Sequence, residues 1–521
     1  MRYVLRFLLV PLLAGVLSVS CVKDPEEAYS DVENRSLRAW MLKNKPELVE
    51  NYQEDGAYYV EVLDPGVADS MSINEILKDK DQGSCWLFFD MTGRDLHGQV
   101  CLTRSEPIAK MQGTFTKYTH YVPYLRYIGD VNISLMEGTY LAMKSVLKLG
   151  EKYAADNNLS TEFEVRYGTS LRLYLPSSVV NGSSGVSGTG GYEGEFELDG
   201  NRPMIMDFKI MNRVNNPLAF EGDLVDAFGE SNGGVTPVKD DEDDTTESAA
   251  LASLRRVYTR ADGTDDGLAW KHAYDTIPGL LVNPTYVPDV ERPFEYGFRY
   301  LKSEEDETPV YGTNVPYTDS DVYAGGPAEL DKKINEALVE RFGQGVMDGD
   351  TIGTDNTAKI WYICRFLDGF IIETNIDEVK EIIYGEVESE GSVVSYSPES
   401  DKDDQTTAWY YTIPKLCYGQ WAAVVTTSSF AYGASGRSGS SETSSSSSSY
   451  YNYYNYYNYY NYYNSYYGNY YYDNYYYNYY NNYYYNNYYD TSDDTTTTTT
   501  VTTEIQPYTP LLYQFYIEEK D

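Results

Sequence analysis

Apolar residues alternate with polar ones in several short runs of this chain, and glycine, proline or a polar cluster bounds each run. Ile360, Tyr362, Cys364 and Phe366 alternate in this way and predict a strand with one buried face. Leu367-Asp368-Gly369-Phe370 then reads as a turn, and Ile371 to Thr374 as the start of the return strand. Further strands are predicted at Ile382-Ile383-Tyr384, at Trp421 to Thr427 and within Glu504 to Glu519. Upstream, Ala57 to Leu63, Gly168 to Val179 and Arg202 to Ile210 read as strands and Ser84 to Arg104 as a hairpin. Helical spacing is rarer. Leu37, Trp40, Met41 and Leu48 suggest a short amphipathic helix broken near Pro46, and Leu330, Ile334, Ala337, Leu338 and Phe342 a packing helix that ends at Gly343.

Between the last two predicted strands lies a segment of another kind. It runs from 437 to 503, with a serine tract at Ser444 to Ser449, Tyr-Tyr-Asn repeats from Tyr450 to Tyr489 and a threonine tract at Thr495 to Thr500, and holds nearly half of the 57 tyrosines. Such a composition cannot build a packed core, so the flanking strands are expected to pair across it, and the Tyr/Asn repeats offer a route to self-association. A Ser/Glu/Asp-rich stretch from 386 to 406 reads as a second insert. Residues 215–349 read as a linker or irregular region with one helix, and their acidic run Val238 to Ser248 as a solvated linker.

Three pieces in chain order resemble FKBP-type peptidyl-prolyl cis-trans isomerases. Lys359 to Asn375 is similar to the hairpin of that family; Trp409, Gly419-Gln420, Ala422 and Ala431-Tyr432-Gly433 are similar to its short Trp-bearing helix, turn and flap; Ile505, Pro507, Leu511, Leu512, Tyr513 and Phe515 are similar to its closing strand. The resemblance implies an α+β fold with two FKBP-like domains, each an antiparallel β-sheet curled around a short helix and interrupted by long disordered inserts. The first would span 56–214 and the second 350–521. In the second, the resemblance implies a pocket with Trp409 as floor, Tyr362, Ile372 and Tyr513 as walls, Tyr432 as the rim hydroxyl and Glu373 as the carboxylate. Ile372-Glu373 stands where the family has Phe-Asp, and Gln405-Thr406-Thr407 lacks the apolar pair that normally precedes the Trp.

The first copy departs further. Met91 replaces the pocket Tyr, Cys101-Leu102 the Phe-Asp pair, Thr139 the Trp, Asn181 the flap Tyr and Met206 the closing-strand aromatic. This domain is therefore expected to be structural or binding. The aromatic stretch Gly113 to Gly129 is expected to pack over its own barrel, with surface contact as the other reading.

Residues 1–20 combine Arg2 and Arg6 with an apolar run too short to span a bilayer, and read as an export signal. Small residues before Cys21 resemble a bacterial lipoprotein cleavage site, which implies a lipid at Cys21. The acidic tether that follows, within 21–55, resembles the surface-export signals of Bacteroidetes lipoproteins, so the expected location is outside the cytoplasm, at the outer membrane or cell surface. With 40 basic against 80 acidic residues the formal net charge is -40, which repels a phosphate backbone and argues against nucleic-acid binding. The scattered His97, His120 and His272 argue against a histidine metal site or catalytic triad, and no cofactor is expected. Cys85 and Cys101 lie on adjacent predicted strands, where a bridge and buried free thiols both remain open.

The expected function is that of a lipid-anchored isomerase or foldase acting on proline-containing exported polypeptides through its second domain. The alternative is an inactive FKBP-like surface protein that binds, adheres or scaffolds through its Tyr/Asn-rich arm.

Overall fold

A computed structural model of the chain describes residues 29–53, 57–64, 66, 86–113, 115–127, 168–180, 182–183, 185, 198–214, 216–236, 268–274, 277–296, 327–346, 350–385, 391–447 and 496–520. The export signal, Cys21, Cys85, Thr139, Asn181 and the Tyr/Asn repeats lie outside these residues.

Helix α1 (Tyr29–Asn44) precedes a first sheet built from β1 (Tyr52–Gln53), β2 (Tyr58–Asp64), β3 (Trp86–Arg94), β4 (Val100–Thr103), β5 (Tyr124–Tyr127), β6 (Ser170–Leu175) and β7 (Met204–Val214), with helix α2 (Glu106–Gln112) after β4. Its order is β1-β2-β6-β7-β3-β4, β5 pairs with β3, and every pairing is antiparallel. Helix α3 (Pro217–Ser231) opens the second half. It is followed by β8 (Lys271–Tyr274), β9 (Ile277–Asn283), α4 (Pro327–Phe342), β10 (Ala358–Phe366), β11 (Ile371–Thr374), α5 (Asp377–Tyr384), β12 (Val394–Tyr396), α6 (Thr407–Thr412), β13 (Trp421–Thr426), β14 (Ser440–Ser447), β15 (Thr496–Thr502) and β16 (Leu511–Ile517). The second sheet has the order β8-β9-β13-β16-β10-β11, β12 pairs with β10, and β14 and β15 form a separate two-stranded ribbon. The mixed helix and antiparallel-sheet class expected from the sequence is thus the class observed.

The two sheets share one strand order, and register aligns them residue by residue. Met206 lies opposite Gly93 and Leu173, as Tyr513 lies opposite Cys364 and Val424. Gly93 in turn faces Leu102, as Cys364 faces Glu373. Met91, Leu102 and Met206 therefore occupy the positions that Tyr362, Glu373 and Tyr513 hold in the second sheet. All three are buried in an apolar cluster, so this half has replaced two hydroxyls and a carboxylate with core side chains.

A matching brace ties each leading helix to its sheet. In the first half the Ser177 N–H and Oγ both donate to the Glu33 carboxylate, each at 2.6 Å. In the second, Ser428 N–H and Oγ donate to Glu221, the hydroxyl at 2.7 Å. Both serines open a short 3-10 turn at the end of a strand, where the first amides lack a partner within the turn, and a carboxylate from a neighbouring helix supplies one. Burial pushes the Glu221 carboxyl up to about 7, against the two bonds from Ser428. A carboxyl raised in the folded state binds protons that the unfolded chain has released, so its stabilising contribution is full below the ordinary carboxylate range and is lost as pH rises through about 7. Relative to Glu221→Gln, the native chain is expected to lose thermal stability between about pH 5 and pH 7.5. Melting curves of the two proteins across that window measure the difference.

Three sequence expectations are corrected. Ile382-Ile383-Tyr384 is the end of helix α5, not a strand: Ile376, Val379 and Ile383 are buried at helical spacing, and Asp377 and Glu378 occupy the first turn, where helix N-termini favour acids. Residues 215–349 are not simply a linker, since α3, β8, β9 and α4 all belong to the second half and β9 pairs with β13. The two inserts also contribute structure. Within 386–406, β12 pairs with β10, and the serine and threonine tracts at the edges of 437–503 pair as β14 and β15. Thr and Val favour extended pairing.

Contacts between the halves are extensive. Glu504 takes ion pairs from Arg104 and, at 3.1 Å, from Arg126. Gln506 accepts from Leu125 N–H at 2.6 Å and donates to the Pro123 carbonyl at 2.8 Å. From the aromatic stretch expected to cover its own barrel, β5 does pair with β3, but its neighbours reach the second half. Lys117 Nζ donates to the Ile383 carbonyl at the end of α5, Tyr118 stacks on Tyr384 with centroids 4.4 Å apart, and His120 bonds Asp368 at 2.7 Å. Cys101 is a buried free thiol, raised to about 12 mainly by burial.

Candidate functional site

The second half places its expected site residues on four elements that converge on α6. This helix is only six residues long and holds Trp409 with 1% of its surface exposed. Tyr362 from β10 meets the indole edge-on at 5.2 Å between centroids, Phe515 from β16 at 4.9 Å, Tyr396 from β12 at 5.5 Å and Tyr513 from β16 at 6.3 Å. Edge-to-face contacts at such distances are the preferred geometry of aromatic pairs. Tyr362 and Phe515 are register partners, and so are Tyr513 and Cys364, which is how strand alternation brings these rings to one face.

Beside the rings lies a polar cluster. Arg437 Nη1 donates to Glu373 Oε2 at 2.7 Å and to Tyr432 Oη at 3.0 Å, and its guanidinium sits 5.0 Å from the Tyr432 ring centre. Tyr513 Oη bonds Thr406 Oγ1 at 3.0 Å, so the polar residue standing where an apolar one was expected tethers a wall ring. Trp409 and Tyr513 are closed to solvent, whereas Tyr362, Glu373 and Tyr432 are half-buried. Ile372 is buried in the same apolar cluster as Trp409.

Burial raises the phenol pKa values of Tyr362, Tyr432 and Tyr513, with the Glu373 charge adding to each, and Tyr432 reaches about 12. At neutral pH these groups are neutral phenols. Each can therefore donate a hydrogen bond. Among the described residues, no group of three or more His, Cys, Asp or Glu is placed to hold a metal.

All six residues singled out from sequence lie in this half, and Tyr362, Glu373, Trp409, Tyr432 and Tyr513 belong to one neighbourhood. Sequence reasoning missed Tyr396, Phe515 and Arg437 as members of it. Tyr396 was hidden in a polar insert, although Val393-Val394-Ser395-Tyr396 carries a brief β-favouring signal. Arg437 lies one residue beyond the glycine turn, at the start of the low-complexity segment, and nothing local marks it.

The chain is similar to several solved structures. One is a peptidyl-prolyl cis-trans isomerase from Pseudomonas syringae pv. tomato, at 14% identity, covering 37% of this chain and 98% of that one with a TM-score of 0.21. Another contains the three FKBP domains of wheat FKBP73, at 9% identity, covering 89% and 95% with a TM-score of 0.19. A third is FkpA from Escherichia coli, at 12% identity, covering 40% and 71% with a TM-score of 0.20. No family model and no curated protein matches the chain.

Proposed function

We propose that the second half is an FKBP-like peptidyl-prolyl cis-trans isomerase acting on exported, proline-containing polypeptides. The observation that carries this reading is the set of rings around Trp409 beneath a neutral phenol, Tyr432, at the rim. Rotation about an X-Pro bond is opposed by amide resonance, with a barrier of about 18–20 kcal/mol. It needs neither nucleophile nor metal. An apolar floor strips water from the amide and disfavours its charge-separated form, and a donor at the rim holds the carbonyl in the twisted geometry. Trp409 would lie under the proline ring, Tyr362, Ile372 and Tyr513 would wall it, and Tyr432 would donate to the carbonyl oxygen. The first half lacks the equivalents of Tyr362, Glu373 and Tyr513 and serves as a structural partner.

The proposal extends to a lipid at Cys21 and placement outside the cytoplasm, at the outer membrane or cell surface, with nucleic acid not a partner. A proline-limited refolding assay with the full chain tests the activity. Acceleration over the uncatalysed rate, lost on addition of a proline-containing competitor peptide, is expected; an unchanged rate overturns the reading. A fragment beginning at 350 is unsuitable because it omits β8 and β9 of the same sheet and helix α3, whose Leu224, Val225 and Phe228 belong to the same core.

A further inference from the structure

We infer that Arg437 is a positioning residue that turns the Tyr432 hydroxyl proton toward the bound substrate. The inference rests on the isomerase reading for its consequence but on separate geometry for its cause. A guanidinium has donors and no acceptor, so in the 3.0 Å contact between Arg437 Nη1 and Tyr432 Oη the phenol oxygen must accept. Its own proton is left for another partner, and among the described residues no acceptor takes it. Without Arg437 the same phenol could instead donate to Glu373, whose charge acts on it, and would be withdrawn from the substrate.

Arg437 itself is held from several sides. Its Nη1 donates to Glu373 Oε2 at 2.7 Å and its Nη2 to the Thr503 carbonyl at 3.3 Å. Its backbone exchanges two hydrogen bonds with Ile505, at 2.7 and 2.8 Å. That close approach depends on Gly436, at φ +65°, where a Cβ would lie 2.2 Å from the Ile505 carbonyl oxygen. Thr503 and Gln506, on either side, bond the Tyr118 carbonyl and β5 of the first half. The guanidinium that fixes the rim phenol is thus mounted on a segment gripped by both halves, and it occurs at the point where the ribbon of β14 and β15 begins.

Two readouts in the full chain test this. In proline-limited catalysis, Arg437→Ala is expected to lower kcat/KM roughly tenfold, chiefly through kcat, with Tyr432→Phe losing as much and the double variant losing no more. In a carbon-13 NMR titration of tyrosine ring carbons, Arg437→Ala is expected to move the Tyr432 midpoint upward, since a cation and donor at the phenolate have gone. Wild-type kcat in Arg437→Ala, multiplying losses in the double variant, or an unmoved Tyr432 titration would each overturn the inference. If the wild-type chain lacks isomerase activity, the proposed function fails by that result and the titration alone decides the coupling.

Discussion

Replacing Trp409 with Ala in the full chain is expected to abolish proline-limited acceleration and to lower stability by about 3–5 kcal/mol, the usual cost of removing a large buried aromatic. The indole is 1% exposed and four rings approach it edge-on, so its loss opens a cavity that sheet strands on both sides cannot close. Because unfolding would also remove activity, Trp409→Phe separates the two effects. That change keeps an apolar ring in the site and is expected to cost under about 2 kcal/mol, while the smaller floor still reduces catalysis roughly tenfold. Denaturant unfolding and the refolding assay report the two quantities independently. Full activity in Trp409→Ala would remove the aromatic floor from the mechanism.

The second large effect is expected outside the site. Arg365 on β10 is 0% exposed and pairs with Asp331 on α4 at 2.5 Å, and the Tyr296 hydroxyl donates to the same carboxylate at 2.5 Å. Burial opposes the Arg365 charge, and Asp331 holds its pKa above the ordinary value. Asp331→Ala leaves a guanidinium buried without its counter-charge and is expected to cost about 3–5 kcal/mol. The expected rescue is instructive. Combining Asp331→Leu with Arg365→Met and Tyr296→Phe removes every member of the network together and is expected to recover most of the loss, since a buried ion pair often contributes little beyond an apolar replacement. Chemical denaturation of the single and triple variants measures both.

Much of the second half was legible in the sequence because its strands are short apolar runs bounded by glycine, proline or polar clusters. β10 falls where alternation places it, β11, β13 and β16 fall on the runs that the flanking turns mark, and the pairing of β13 with β16 across the long insert was expected because that insert cannot build a core. Helix α5 was misread because three adjacent residues, Ile382-Ile383-Tyr384, look like a strand when Ile376 and Val379 are left out of the count. The two strands β8 and β9 were missed since each is short and Gly279 interrupts the second. At the site, Trp409 and the tyrosines were visible through their joint spacing. Arg437 was not, because its role depends on a backbone pairing with Ile505 that spans 68 positions and leaves no periodic trace.

The shared strand order has a consequence for how the molecule divides its labour. One strand order accommodates either two phenols and a carboxylate or apolar side chains at the same positions, as Met91, Leu102 and Met206 show. What the first half retains is a set of ion pairs through Arg104, Arg126 and His120 to its neighbour. If the second half is the isomerase proposed above, the geometry around Trp409 is set partly by contacts from a neighbouring sheet of the same strand order.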